Sequence, residues 1–141
     1  AEVLVAGAER FNAIAARIDD ADPRRALARL TSELWQEASH VRASAAIALD
    51  DTHVRATAAA LAPLRARIAE IVARGQAADV LRTDVSASDL TRLIEDPGRA
   101  VVARMHTEVD ASPELAVKAV LGIAGLSWRE SVALLTEAHG A

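Results

Sequence analysis

The chain has 141 residues, 52% of them hydrophobic, a net charge of −4 and no cysteine. That length supports one domain with a real core and is too short to expect two, and the missing thiols exclude a disulfide framework and a thiolate metal site. No stretch reaches the roughly 18 uncharged apolar residues of a membrane span, and the arginines are interspersed with acidic residues instead of forming the basic block that marks a nucleic-acid footprint.

Alanine alone supplies 34 residues, while Phe, Trp and Tyr total three. A core of small and aliphatic side chains suits close helix packing, so an all-α fold of about six helices, in one domain over residues 1–141, is expected. The chain opens Ala1-Glu2-Val3-Leu4 without a basic leader region, and a cytoplasmic location follows as the expectation.

Val3, Leu4, Ala8, Phe11, Ile14, Ala15 and Ile18 recur at helical spacing and predict a first helix over 2–18. Because that pattern starts at once, a preceding segment is expected ahead of Ala1. Asp22 is placed to cap a second helix with Pro23 at N1, where proline's missing N–H costs nothing. Leu27, Leu30, Leu34 and Ala38 form its inner stripe, and it should end near Ser39. A short helix over Val41–Leu49 follows, then Asp50, Asp51 and Thr52 as alternative caps for a long helix over 53–78. That helix has its seam at Val54, Leu61, Leu64, Ile68, Ile71 and Val72; Pro63 inside it predicts a kink near Ala59 unless the helix divides there.

Residues 74–90, R-G-Q-A-A-D-V-L-R-T-D-V-S-A-S-D-L, pack a helix end, a connection and a helix start into one stretch. Asp79 stands at C′, which needs a left-handed backbone, and Val80 and Leu81 turn back to the core. Ser86 with Asp89 forms a capping box, and Val85 with Leu90 a hydrophobic staple, so the next helix should begin at Ala87. Over 87–108 the Asp96-Pro97-Gly98 run predicts a bend or break at Glu95–Gly98, with Asp96 as a fresh cap. Ser112-Pro113-Glu114 starts a last helix running to about Glu137 and apolar on nearly every side, hence central or covered by a second subunit. Gly122 and Gly125 inside it cost roughly 1 kcal/mol each relative to Ala, which a closely approaching helix would explain.

Little here points to chemistry. His40, His53, His106 and His139 show no i+3 or i+4 pairing and no H-E-x-x-H, so no metal is expected. His40 and His53 read as solvent-facing cap or loop residues, and His106, beside Met105, as a polar group in a pocket. There is no nucleophile motif or phosphate loop, and Asp22, Asp89 and Glu114 are accounted for at helix starts, so neither an enzyme nor a cofactor is expected. Phe11 and Trp35 either fill core and rim space or wall a cavity for an apolar or aromatic ligand. Trp128 reads as subunit or core packing.

The run R-G-Q-A-A-x-V-L-R-x-D-V, followed by a polar cap and Asp89-Leu90, resembles the corner before the penultimate helix in the regulatory domain of TetR-family transcriptional repressors. Asp22-Pro23-Arg24-Arg25-Ala26-Leu27 and Leu61-Ala62-Pro63-Leu64-Arg65-Ala66-Arg67-Ile68 resemble two other helices of that domain, so the likeness spans most of residues 1–96. Asp79 departs from the family's more usual Gly, and Asp96-Pro97-Gly98 interrupts what is usually one helix. The resemblance implies an effector-sensing domain that forms a homodimer through a four-helix bundle of residues 87–108 and 113–137, with Val101, Val120, Gly122, Gly125 and Trp128 at the interface. It further implies a pocket for a small apolar or aromatic effector, lined by Phe11, Leu34, Trp35, Leu61, Leu64, Met105 and His106. DNA would be reached only through an N-terminal helix-turn-helix not contained in these residues. The competing expectation is a self-contained helical enzyme or scaffold whose likeness to the repressors is compositional.

Overall fold

The computed structural model describes residues 2–40, 59–105 and 112–140, with side chains described over 8–37, 59–96 and 112–137. These residues form six helices and, among them, no strand: α1 (Glu2–Arg17), α2 (Pro23–His40), α3 (Ala62–Ala77), α4 (Ala87–Met105), α5 (Pro113–Ile123) and α6 (Trp128–Gly140). The all-α fold of about six helices read from composition is the fold observed. The helix expected over Val41–Leu49, the start of the long helix at 53 and His53 lie outside the described residues, as do the side chains of His40, Val101, Met105, His106 and His139.

Helices α1 to α4 alternate in direction around an aliphatic centre. Ion pairs Arg10–Glu37 at 3.0 Å and Arg17–Glu33 at 4.0 Å oppose α1 and α2. Asn12 meets residues 60–64, while Arg67 and Arg74 donate to the carbonyls of Ile18 and Asp20, so α1 and α3 run side by side in parallel. Those two guanidinium groups sit where the α1 carbonyls lose their helical partners and the dipole is negative. The Arg65–Glu95 pair, at 3.2 Å, lays α4 antiparallel to α3. The broadest contact is between α2 and α5. The largest fully buried side chains are Ile18, Leu27, Leu30, Ile71, Val72, Leu90, Val117 and Leu121, with no ring among them. Ala26 and Ala124 are also fully buried, and side chains this small let helix axes approach closely.

The α1–α2 turn is tied by carboxylates. Asp20 Oδ1 accepts the Asp22 N–H, and Asp22 caps α2 by accepting the Arg24 N–H at 3.0 Å, while the Asp22 carbonyl accepts the Ala26 N–H. The Asp22 carboxylate also receives Nε and Nη2 of Arg24, and that pairing holds its pKa below the ordinary aspartate value. A folded-state pKa lower than the unfolded one stabilises the fold fully above the ordinary carboxylate range, and the contribution is lost as pH falls through the folded value. Glu130, held low by the Ser127 N–H and hydroxyl, acts with the same sign. An acid titration of Asp22→Asn is therefore expected to show a flatter loss of stability below the carboxylate range than the parent; an unchanged acid limb would contradict it.

Three expectations about breaks are decided by the fold. The helix over 53–78 divides: Leu61 (φ −95°, ψ 14°) is the N-cap of α3, with Pro63 in the first turn. Conversely, α4 is one helix through Pro97, so of the bend or break expected at Glu95–Gly98 the break does not occur and Asp96 does not cap a fresh helix. Pro97 deletes only the bond to the Leu93 carbonyl, and Leu93 lies on a solvent-facing side where water can replace it. The single last helix expected over 113–137 is two helices, parted at Ala124–Ser127.

Candidate functional site

The corner joining α3 to α4 is the most densely tied part of the chain. Asp79 adopts φ +58°, as its C′ position requires. The Asp79 N–H donates to the Gln76 carbonyl and the Val80 N–H to that of Gly75, a Schellman closure with Ala78 as C-cap. Leu81 then folds back over α3 so closely that a Cβ on Gly75 would lie 2.4 Å from its Cγ and Cδ1. Gly75 is thus the notch that receives Leu81. Gln76 Nε2 donates to the carbonyls of Arg82 (3.1 Å) and Val85 (3.0 Å), pinning both sides of the connection with one amide.

Beyond the connection, Ser86 Oγ accepts the Asp89 N–H at 3.0 Å and α4 starts at Ala87. Leu90 is fully buried and Val85 packs against the core, as the staple positions require. A non-Gly residue in left-handed backbone carries a penalty of about 1 kcal/mol. Asp79→Gly is therefore expected to stabilise the fold by about 0.5–1 kcal/mol, less than the full penalty because Gly also frees the unfolded chain. A urea midpoint that stays put or drops would count against this account.

The same corner carries the end of α5. The Arg82 N–H donates to the Ala124 carbonyl at 2.9 Å, and its guanidinium makes two bonds to Asp84, at 2.7 and 2.6 Å. This pair lowers the Asp84 pKa and raises that of Arg82. Gly125 follows at C′ with φ +109°, and Leu126 N–H to Leu121 together with Gly125 N–H to Gly122 complete a second Schellman motif. Ser127 then caps α6: its hydroxyl accepts the Glu130 N–H while Glu130 Oε1 accepts the Ser127 N–H. This reciprocal S-x-x-E box, which the sequence displays as Ser127-Trp128-Arg129-Glu130, marks the helix start that periodicity alone ran across.

Five of the residues expected to line a pocket lie on or beside facing segments of α1, α2 and α3. Leu64 is buried, Phe11, Leu34 and Leu61 are half-buried against the core, and Trp35 is half-buried one position off the inner stripe of α2. The Arg10–Glu37 pair and the Asn12 contacts set these segments of α1, α2 and α3 side by side. Met105 ends α4, but its side chain and His106 lie outside the described residues. Asn12 was not anticipated as a contributor, because nothing in its own helix distinguishes it.

The residues expected at a subunit interface separate. Val120, 4% exposed, belongs to the core of its own chain, because α5 turns Val117, Val120, Leu121 and Ala124 inward together. Gly125 is required within the chain, by its backbone and by the approach of Arg82. Gly122 is open, with no atom within 4 Å of where a Cβ would stand. Trp128 is 68% exposed, with the Arg129 guanidinium 4.5 Å above its ring, so the core-packing alternative for it fails. Leu115 and Val132 are large exposed apolar side chains on α5 and α6. The last helices are consequently apolar on fewer sides than a single unbroken rod would be.

Among the described residues no three His, Asp or Glu side chains gather as a metal-ion site, and no helix is long and apolar enough to cross a membrane. Comparison with protein-family models, with curated proteins and with solved structures finds no match.

Proposed function

We propose that the chain is the effector-sensing and dimerisation domain of a TetR-type transcriptional regulator. The observation that carries the reading is the α3–α4 corner. In the stretch that resembles the family, Gly75 receives Leu81, Gln76 pins two carbonyls and Ser86 caps the next helix. The likeness therefore falls on residues with specific structural duties, where compositional chance would scatter them. In this reading a small apolar or aromatic effector enters among Phe11, Leu34, Trp35, Leu61 and Leu64, and two copies pair through α4, α5 and α6. The open Gly122 and the exposed Leu115, Trp128 and Val132 support that pairing. An effector that prefers one arrangement of the helices by about 1–3 kcal/mol shifts the population usefully. DNA contact belongs to a helix-turn-helix outside these residues, and the response is repression released by ligand.

Light scattering on the chain is expected to give about twice its mass of 14.8 kDa. In Trp128→Phe, which isolates the Trp35 signal, apolar and aromatic ligands that raise the melting temperature are expected to quench fluorescence saturably. A strictly monomeric chain, or a salt-sensitive shift of duplex DNA by these residues alone, contradicts the reading.

A further inference from the structure

Asn12 sits in the break between Ala60 and Leu64. In a continuous helix the Leu64 N–H would bond to the Ala60 carbonyl, four residues back. Instead Asn12 Nδ2 donates to that carbonyl at 3.0 Å while Asn12 Oδ1 accepts that N–H at 3.2 Å. The polarity of the two backbone groups fixes the orientation of the carboxamide. A side chain of α1 has therefore taken the place of one helical hydrogen bond of another element, serving both of its orphaned partners. Residues 59 and 60 are helical on one side of the break and α3 is helical on the other.

The alternative arrangement is close in conformation. Leu61, at φ −95° and ψ 14°, differs from helical values by roughly 30° in φ and 55° in ψ. The Arg65 N–H already bonds to the Leu61 carbonyl at 3.0 Å, so the turn after the break is closed. Pro63 opposes continuity through its missing N–H and the clash of its ring with the Ala59 carbonyl. One proline thus disfavours the joined helix, one backbone hydrogen bond favours it, and Asn12 supports the broken form.

We propose that Asn12 is a removable wedge: α1 holds the chain broken at Leu61, and its withdrawal lets the Ala60–Leu64 bond close so that α3 extends toward its N-terminus. The position of α1 and the length of α3 are then two readouts of one two-state element. Nothing in this device requires an effector, so it stands apart from the sensor reading.

The test is the backbone conformation of Leu61, read from 13Cα chemical shifts, with exchange of the Leu64 amide measured alongside, in the full chain. In Asn12→Ala, the Leu61 shift is expected to move to helical values while the Leu64 amide keeps its protection within about threefold. In Pro63→Ala, with Asn12 intact, the same helical shift is expected together with faster exchange of the α1 amides. Pro63→Ala keeps the question answerable should Asn12→Ala fail to fold. A Leu61 shift that stays non-helical in the folded variants overturns the wedge. Loss of Leu64 protection by roughly tenfold or more, as when a net hydrogen bond is removed without replacement, would show Asn12 to be fixed cement.

Discussion

Gly125→Ala is expected to lower stability by about 2–6 kcal/mol, adding roughly 1–3 kcal/mol of backbone strain to roughly 1–3 kcal/mol of overpacking. At φ +109° an L side chain is strained whatever space surrounds it. Here there is no space either: the added Cβ would stand 2.8 Å from Arg82 Cβ and 3.1 Å from the Arg82 backbone nitrogen. Backbone cannot yield as a side-chain tip would, and the Arg82 N–H is anchored to the Ala124 carbonyl one residue away. Urea unfolding should show the whole loss as a lower midpoint, since the corner and the α5–α6 turn open together. Gly122→Ala is the control. It sits in open helix, and replacing Gly by Ala there is expected to add about 0.5–1 kcal/mol. Equal effects at the two glycines would sink this account of the turn.

Gln76→Glu, nearly isosteric, is expected to cost about 3 kcal/mol at neutral pH. The amide that donates to the Arg82 and Val85 carbonyls becomes a carboxylate facing them, so two bonds are lost and acceptors oppose acceptors. Gln76→Ala, which removes the bonds without the repulsion, should cost about 2 kcal/mol. The sign of the pH dependence separates the variants. Two carbonyls disfavour the ionised form, so the introduced carboxyl has its folded-state pKa raised above the unfolded one, and the deficit shrinks as pH falls and a protonated oxygen donates one bond. A deficit independent of pH would place Gln76 away from those carbonyls.

Much of the helical scaffold was legible because its signals are local. The Asp22-Pro23 start, the left-handed Asp79, the Ser86 cap and the Val85–Leu90 staple each depend on residues within five positions of one another, and each stands where the spacing put it. The division of the last helix was also readable locally. Ser127 and Glu130 form the full reciprocal box, of which the Asp89 N–H on Ser86 Oγ is one half, and the apolar run around them masks it in the periodicity. That Phe11, Leu34, Leu61 and Leu64, among the expected pocket residues, turn toward the core follows from helical phase, since each lies on or beside the inward stripe of its helix.

Amphipathic period, capping chemistry and the scarcity of rings were thus enough to specify an aliphatic helical bundle and most of its helix ends. Tertiary contact alone decided that Pro63 divides a helix while Pro97 does not, that Val120 faces its own core, and that Gly75 and Gly125 admit Leu81 and Arg82. The physical reason is one of range. A cap or a left-handed residue is satisfied by neighbours a few positions away, whereas the fate of an orphaned carbonyl or a bare Cα depends on what arrives from another helix, such as Asn12 from 48 residues earlier.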